Sequence, residues 1–480
     1  MENKGFIRIL IDRISSAPDN ASAFSLFDGT ELHSVTYRQF ADDVLKAANY
    51  FVSNGITGRH VAIAAPNSYR WVVSYLAALA SGNTGILLNQ NLDEQTIRQY
   101  CAKADLDLIC ADPASLANFR TYLSDYPLLS VDELTAQEPL PVHLVHESEP
   151  SQTVTMLFTS GTTGKSKVVE ITSENLQYSI ENFETQYTME DLDRVMTPIP
   201  FHHILGFLHT IESLFYLKTI CIGRDIRYLF ADMAALNPAM LNTVPSIIES
   251  MTKLIRRASS ESARQRFIGN RLRLISFGGA VLKKAVSSYL LDLGMTLTVY
   301  YGMTEISSTG TWCVIDRDHL DTAGKFCKHV KPGFDGNELL MSGPTLMKGY
   351  YRDPEETQKI IENGWIHTGD LGRIDEDGYL YLTGRKKNVI ILSNGENVNP
   401  EEVEEKLGVC DSILECMVYS DGTGICADIY TENQDSAAAF VREYNARTPM
   451  YRQVYKVNYQ DQPLQKTASG KIKRKENVYA

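Results

Sequence analysis

Between residues 36 and 88 the hydrophobic period switches repeatedly from helical to extended, and this alternation constrains the fold more than any other feature. Thr36 and Gln39 stand at capping-box spacing, and Phe40, Val44, Ala47, Ala48 and Phe51 then share one helical face. Asn54-Gly55 is a stop signal. Residues 61–65 read as a strand, residues 68–80 as a second helix ended by Gly82, and residues 85–88 as another short strand. Strand, helix and strand at this spacing argue for a parallel sheet with crossover helices. Similar alternation runs through residues 195–305.

From about residue 330 the character changes. Gly and Tyr become dense, turns recur (Asp335-Gly336, Glu376-Asp377-Gly378, Asn394-Gly395) and strands shorten. After Arg385-Lys386-Lys387-Asn388 comes a segment with its own helix at 400–407 and strands at 415–419 and 425–430. The expected fold class is α/β. A large N-terminal lobe of parallel-sheet α/β subdomains with a small β-rich part covers residues 1–387. A small α+β domain covers residues 388–480, with the charged stretch before it as hinge. A chain of 480 residues is in any case too long for one core.

Composition narrows the function. Forty-six Lys and Arg against fifty-nine Asp and Glu leave a net charge of −13, which disfavours wrapping nucleic acid or coating an anionic membrane. No apolar run approaches the roughly 18 residues of a membrane span; the best, residues 71–80, carries Ser74 and Tyr75. Residues 1–14 hold charges at Glu2, Lys4, Arg8, Asp12 and Arg13 and lack the apolar stretch of a signal peptide. The eight cysteines contain no C-x-x-C pair and read as reduced core thiols. A cytoplasmic enzyme is the expectation.

The densest chemistry lies in residues 154–172. Gly161 and Gly164, the hydroxyls of Thr159, Ser160, Thr162 and Thr163, and Lys165 and Lys167 form a phosphate-binding composition. Glycines let backbone N–H groups turn onto an anion, and hydroxyls and ammonium groups complete the cradle. Gly164-Lys165-Ser166 mimics the end of a Walker A loop, but Thr159 stands where that loop needs Gly. A helix should also follow, whereas Val168, Val169 and Ile171 continue as strand. The device is a strand–loop–strand clamp.

With this loop the chain resembles the adenylate-forming superfamily: acyl-CoA synthetases, luciferases and the adenylation domains of peptide synthetases. Residues 159–167 resemble its phosphate loop. Tyr301-Gly302-Met303-Thr304-Glu305 resembles the adenine and magnesium motif, and Trp365-Ile366-His367-Thr368-Gly369-Asp370 the ribose motif. Gly384-Arg385-Lys386-Lys387-Asn388, running on to Gly395 and Pro400, resembles the hinge segment, and Lys466 to Lys471 the terminal lysine motif. The motifs occur in order over nearly the whole chain.

The resemblance implies a two-step reaction. A carboxylate attacks the α-phosphate of ATP, giving an acyl-adenylate and pyrophosphate, and a thiol then displaces AMP. The implied roles are Mg²⁺ binding for Glu305, which suits a carboxylate beside phosphates, α-phosphate donation for Thr304 and adenine stacking for Tyr301. Val299 stands where the family often has an amide, which moves adenine recognition toward backbone groups around Gly279 and Ala280. Asp370 would accept the ribose hydroxyls, with Arg385 as a second contact. Lys471 would bridge the α-phosphate and the attacking carboxylate. The C-terminal domain would then rotate about Asn388, withdrawing Lys471 and opening a thiol channel beside Gly395.

Pro200 to Phe207 resembles the family's acid-pocket segment, with His203 and Phe207 as lining residues. Amino-acid activators place an Asp there to pair the substrate ammonium; none is present, which favours a fatty or aryl acid. The implied acceptor is CoA, in the manner of long-chain acyl-CoA synthetases. The alternative acceptor is the phosphopantetheine of an acidic carrier protein, and a further alternative is a non-catalytic nucleotide-binding relative. Joint retention of Glu305, Asp370, Arg385 and Lys471 speaks against the last.

Overall fold

The Thr36–Gln39 capping box closes as read: the Gln39 N–H donates to Thr36 Oγ1 at 3.2 Å, and the Thr36 N–H donates to Gln39 Oε1 at 2.9 Å. It opens the helix Tyr37–Ser53, and such a cap contributes about 1 kcal/mol. The computed structural model describes residues 5–135, 138–159, 166–189, 191–258, 260, 267–392, 396–466, 472–475 and 477. The strand His60–Ala64, the helix Tyr69–Ala80 and the strand Thr84–Leu87 follow, and Ser68 caps that helix by accepting from the Trp71 N–H at 3.1 Å. Every residue from Trp71 to Ala80 is buried, which explains why this stretch is so apolar: it is a core helix covered on all faces.

By its contacts the chain divides into two compact units, residues 1–332 with 341–366, and residues 333–340 with 367–480. The first unit holds two sheets with parallel centres. One has the order Gly349–Tyr350, Lys167–Thr172, Thr153–Thr159, Thr84–Leu87, His60–Ala64, Leu108–Ala111, Leu128–Ser130. It is parallel from Thr153–Thr159 onward and antiparallel at its first two strands. The other runs Thr311–Val314, Thr296–Tyr301, Leu274–Gly278, Met240–Thr243, Arg194–Met196, Thr219–Ile222, Ser22–Phe27, Leu32–Thr36. It is parallel from Thr296–Tyr301 to Ser22–Phe27 and antiparallel beyond, at Leu32–Thr36 on one side and at Thr311–Val314, followed by Gly324–Phe326, on the other. Their common core is rich in rings: Tyr37, Phe40, Trp71, Tyr75, Phe201 and Phe207 are fully buried, each contributing on the order of 2 kcal/mol.

In the second unit the antiparallel strands Trp365–Ile374 and Tyr379–Arg385 pair with a register shift between Leu371 and Gly372, and Glu338–Ser342 lies beside the former. The helices Pro400–Leu407 and Gln434–Ala446 pack on the sheet Glu415–Ser420, Ile425–Tyr430, Val454–Gln460 through Val403, Leu407, Val418, Ala427, Ile429 and Val441. The compact division thus falls upstream of residue 387. Gly384 accounts for part of this, because a Cβ there would lie 2.9 Å from Glu401 Oε2, so the strand end presses directly on the helix Pro400–Leu407.

Candidate active site

Parallel strands end together, and ligands of open α/β sheets bind beyond their carboxyl ends. In the second sheet of the first unit, Thr296–Tyr301 runs into Gly302 and the short 3₁₀ turn Thr304–Ile306. Its neighbour Leu274–Gly278 runs into Gly279 and Ala280, both exposed. Farther along the same edge, Arg194–Met196 leads to the 200–207 segment. Tyr301, Gly302, Thr304, Glu305, Gly279, Ala280 and His203 are therefore delivered to one sheet edge.

The turn after Tyr301 is tightly built. A Cβ on Gly302 would lie 2.3 Å from the Ser308 carbonyl oxygen, so only glycine fits. Ser307 and Ser308 both adopt left-handed backbone, with φ of 50° and 58°. Two consecutive non-glycine residues there store strain. The strain is held by the Ser308 N–H on the Met303 carbonyl at 2.9 Å and by Ser307 Oγ on the Thr345 carbonyl at 3.0 Å.

Glu305 is buried, and its Oε1 accepts from the Tyr350 hydroxyl at 2.8 Å. Tyr350 lies on the first sheet, antiparallel to Val169. Lys167 Nζ sits 4.5 Å from the centre of the Tyr350 ring and pairs with Glu356 at 2.7 Å. The Lys167 hydrogen bond, then that of Lys359, holds the Glu356 carboxyl down to about 2, while burial and then Glu305 push the Tyr350 phenol upward. Tyr350 thus joins the magnesium motif to the phosphate-loop strand. A buried carboxylate with a neutral donor still calls for a cation, and Mg²⁺ bound by one carboxylate and phosphate oxygens fits Glu305. Thr159 and Lys167 are cross-strand partners, so the strands on either side of residues 160–166 end side by side. Ser160, Gly161, Thr162, Thr163, Gly164, Gly395 and Lys471 lie outside the described residues.

The acid segment differs from expectation. His203 is exposed and caps the helix Ile204–Phe215, its Nδ1 accepting from the Leu205 N–H at 3.3 Å. Phe207 has no exposed surface and packs edge-on against Tyr75 at 5.1 Å, so it lines no opening here. Leu205 faces the edge instead: a Cβ on Gly279 would lie 3.9 Å from Leu205 Cδ1. Burial, with His203 adding to it, drives the neighbouring His202 imidazole down to about 4 and keeps it neutral.

In the second unit Asp370 and Arg385 are cross-strand partners joined Oδ1 to Nε at 2.6 Å. Asp370 is buried, and its N–H donates to Thr368 Oγ1 at 3.0 Å. Glu338, also buried, accepts from the Gly369 N–H at 3.1 Å and pairs with Lys386 at 2.7 Å, one residue from each ribose candidate. Asn388 donates through Nδ2 to Glu401 Oε1 at 2.6 Å, and its carbonyl accepts from Asn477 Nδ2 at 3.0 Å.

Residues 12–351 match the family described as AMP-binding enzyme. The chain belongs to the AMP-binding enzyme family. A 2-succinylbenzoate–CoA ligase of Oceanobacillus iheyensis is 26 % identical, with 97 % of each chain covered. A probable CoA ligase of Humulus lupulus is 26 % identical over 93 % of this chain and 91 % of its own. Among solved structures, the o-succinylbenzoate CoA synthetase of Bacillus subtilis with its acyl-adenylate superposes with a TM-score of 0.83 at 23 % identity, covering 97 % of this chain and 96 % of that one. An anthranilate CoA ligase with anthranoyl-AMP gives 0.85 at 16 % identity, covering 98 % and 96 %. These likenesses show the adenylate-forming fold, and the class expected from sequence, an AMP-forming acid–thiol ligase, agrees with the family and its CoA-ligase relatives.

For an AMP-binding enzyme, the residues that sequence reasoning missed are Tyr350 and Glu338. Both sit in the stretch from 332 to 351 that carries no motif of its own, and Tyr350 resembles any strand aromatic. Among the described residues, no helix is long and apolar enough to cross a membrane.

Proposed function

We propose that this AMP-binding enzyme activates an aryl or fatty acid as acyl-AMP, releasing pyrophosphate, and transfers the acyl group to the thiol of CoA. The observation that carries this reading is the Glu305–Tyr350–Lys167 group, which puts a cation-seeking carboxylate and a phosphate-seeking ammonium beside one phenol. Mg²⁺ on Glu305 would neutralise phosphate charge as it develops. Thr304 donates toward the α-phosphate, Tyr301 offers its ring to adenine, and Gly279 and Ala280 offer backbone groups. Thr159 and Lys167 flank the polyphosphate, with Ser160 to Gly164 as its cradle. Asp370 accepts the ribose hydroxyls and Arg385 adds a donor, having been positioned by Asp370 itself. Lys471 serves the first half-reaction only. Rotation about Asn388 then removes it and opens the channel beside Gly395. The relatives named as CoA ligases support CoA as acceptor, and those acting on 2-succinylbenzoate and anthranilate support an aryl acid.

The test separates the half-reactions. Lys471→Ala should abolish acyl-adenylate formation yet largely spare thioester formation from supplied acyl-AMP, followed by product mass with CoA and with a carrier protein. Equal loss of both steps refutes the division of labour; product on the carrier alone replaces CoA as acceptor.

A further inference from the structure

Gly279 and Ala280 are exposed at the end of the strand Leu274–Gly278, and Leu205 stands against Gly279. His209 lies four residues further on, on the same face of Ile204–Phe215, and so about 6 Å deeper along the helix. There it meets Tyr300, the two rings lying edge to face with centroids 5.0 Å apart.

Tyr300 fills this space because Gly278 leaves it free. The two are cross-strand neighbours, and a Cβ on Gly278 would lie 2.2 Å from the Tyr300 ring. Phe183 closes the other side, edge-on at 6.1 Å. Tyr300 is 2 % exposed and His209 1 %, so solvent reaches neither ring. Behind them Glu212, fully buried, holds His209 Nδ1 at 2.9 Å and fixes its ring.

We propose that Tyr300, backed by His209, is the floor of the acid pocket and restricts the enzyme to short acids, a single aryl ring or a short alkyl chain, excluding long-chain fatty acids. The proposal rests on the acid-activation reading and names the substrate class of that site. A long chain could pass only by displacing a tyrosine packed on backbone, His209 and Phe183, and close-packed interiors do not yield such a volume.

The experiment is acid-dependent pyrophosphate–ATP exchange by the full-length enzyme with benzoate, butanoate, octanoate and dodecanoate. Wild type should use benzoate or butanoate and reject dodecanoate. Tyr300→Ala should raise exchange with octanoate and dodecanoate by about tenfold or more, the scale on which apolar pockets discriminate chain length. Tyr300→Phe should keep the length limit, because it keeps the ring and removes a buried hydroxyl that has no hydrogen-bond partner among the described residues. Wild-type exchange with dodecanoate equal to that with the short acids overturns the proposal, even if Tyr300→Ala does not fold. An unaltered limit in a folded Tyr300→Ala also overturns it. Failure of exchange with every acid instead refutes the acid-activation reading, and the length limit with it.

Discussion

The two candidate groups, one in each unit, are built by different physics. In the second unit Asp370 and Arg385 are a direct ion pair between adjacent strands, fifteen positions apart and in register. In the first unit Glu305 and Lys167 do not touch through charge; each is engaged by Tyr350, one by a hydrogen bond to its hydroxyl and the other over its ring. In the second unit the two charges already face each other directly. The Tyr350 group gives Glu305 a neutral donor and leaves Lys167 paired with Glu356, and that difference predicts which region responds to metal and which to the sugar.

The largest effect should come from Glu305→Ala, which removes the carboxylate assigned to Mg²⁺. Pyrophosphate–ATP exchange should fall by about 10²–10³-fold, the scale of losing one transition-state electrostatic group, with the loss centred on Mg²⁺ dependence. Asp370→Ala should rank next, raising the KM for ATP by about 10-fold or more because Arg385 is left unpaired while the ribose loses its acceptor. Its distinguishing mark is lost discrimination between ATP and 2′-deoxy-ATP or 3′-deoxy-ATP. If Glu305→Ala changed sugar discrimination and Asp370→Ala changed metal dependence, the contrast between the two regions would be wrong.

Tyr350→Phe sharpens the comparison. It removes only the hydroxyl on Glu305, and a lost hydrogen bond to a buried charged group costs about 1–3 kcal/mol. Exchange should drop roughly 5-fold to 100-fold, with the apparent Mg²⁺ requirement shifted and folding retained; an unchanged Mg²⁺ titration would remove Tyr350 from the site. Glu356→Gln should be smallest. The Lys167–Glu356 pair is partly exposed, and such pairs contribute about 1 kcal/mol or less. Freeing Lys167 should lower the KM for ATP by about 2-fold, whereas a raised KM would make Glu356 a positioning residue instead.

What could be read from the sequence follows the same divide. The Thr36 capping box, the helix around residues 69–80, the parallel strands and the small C-terminal α+β elements were legible because they rest on local periodicity and caps. That Asp370 and Arg385 stand together was legible because their hairpin is short range. Tyr350 was not, because it lies 45 positions from Glu305 and meets it only through sheet pairing. Phe207 misled for a related reason. The segment resemblance places it near the acid, but helical phase turns it toward Tyr75 in the core and gives Leu205 the position beside Gly279. Glu338 was invisible because a lone Glu on a short strand carries no motif, although in the fold it holds the Gly369 N–H and the Lys386 ammonium, next to Asp370 and Arg385.

The account is tested most directly by following labelled pyrophosphate into ATP with the purified enzyme, with and without a carboxylic acid. Label should enter ATP only when an acid and Mg²⁺ are both present, and Glu305→Ala should suppress it. Release of inorganic phosphate with no return of label to ATP would contradict the formation of an acyl-adenylate.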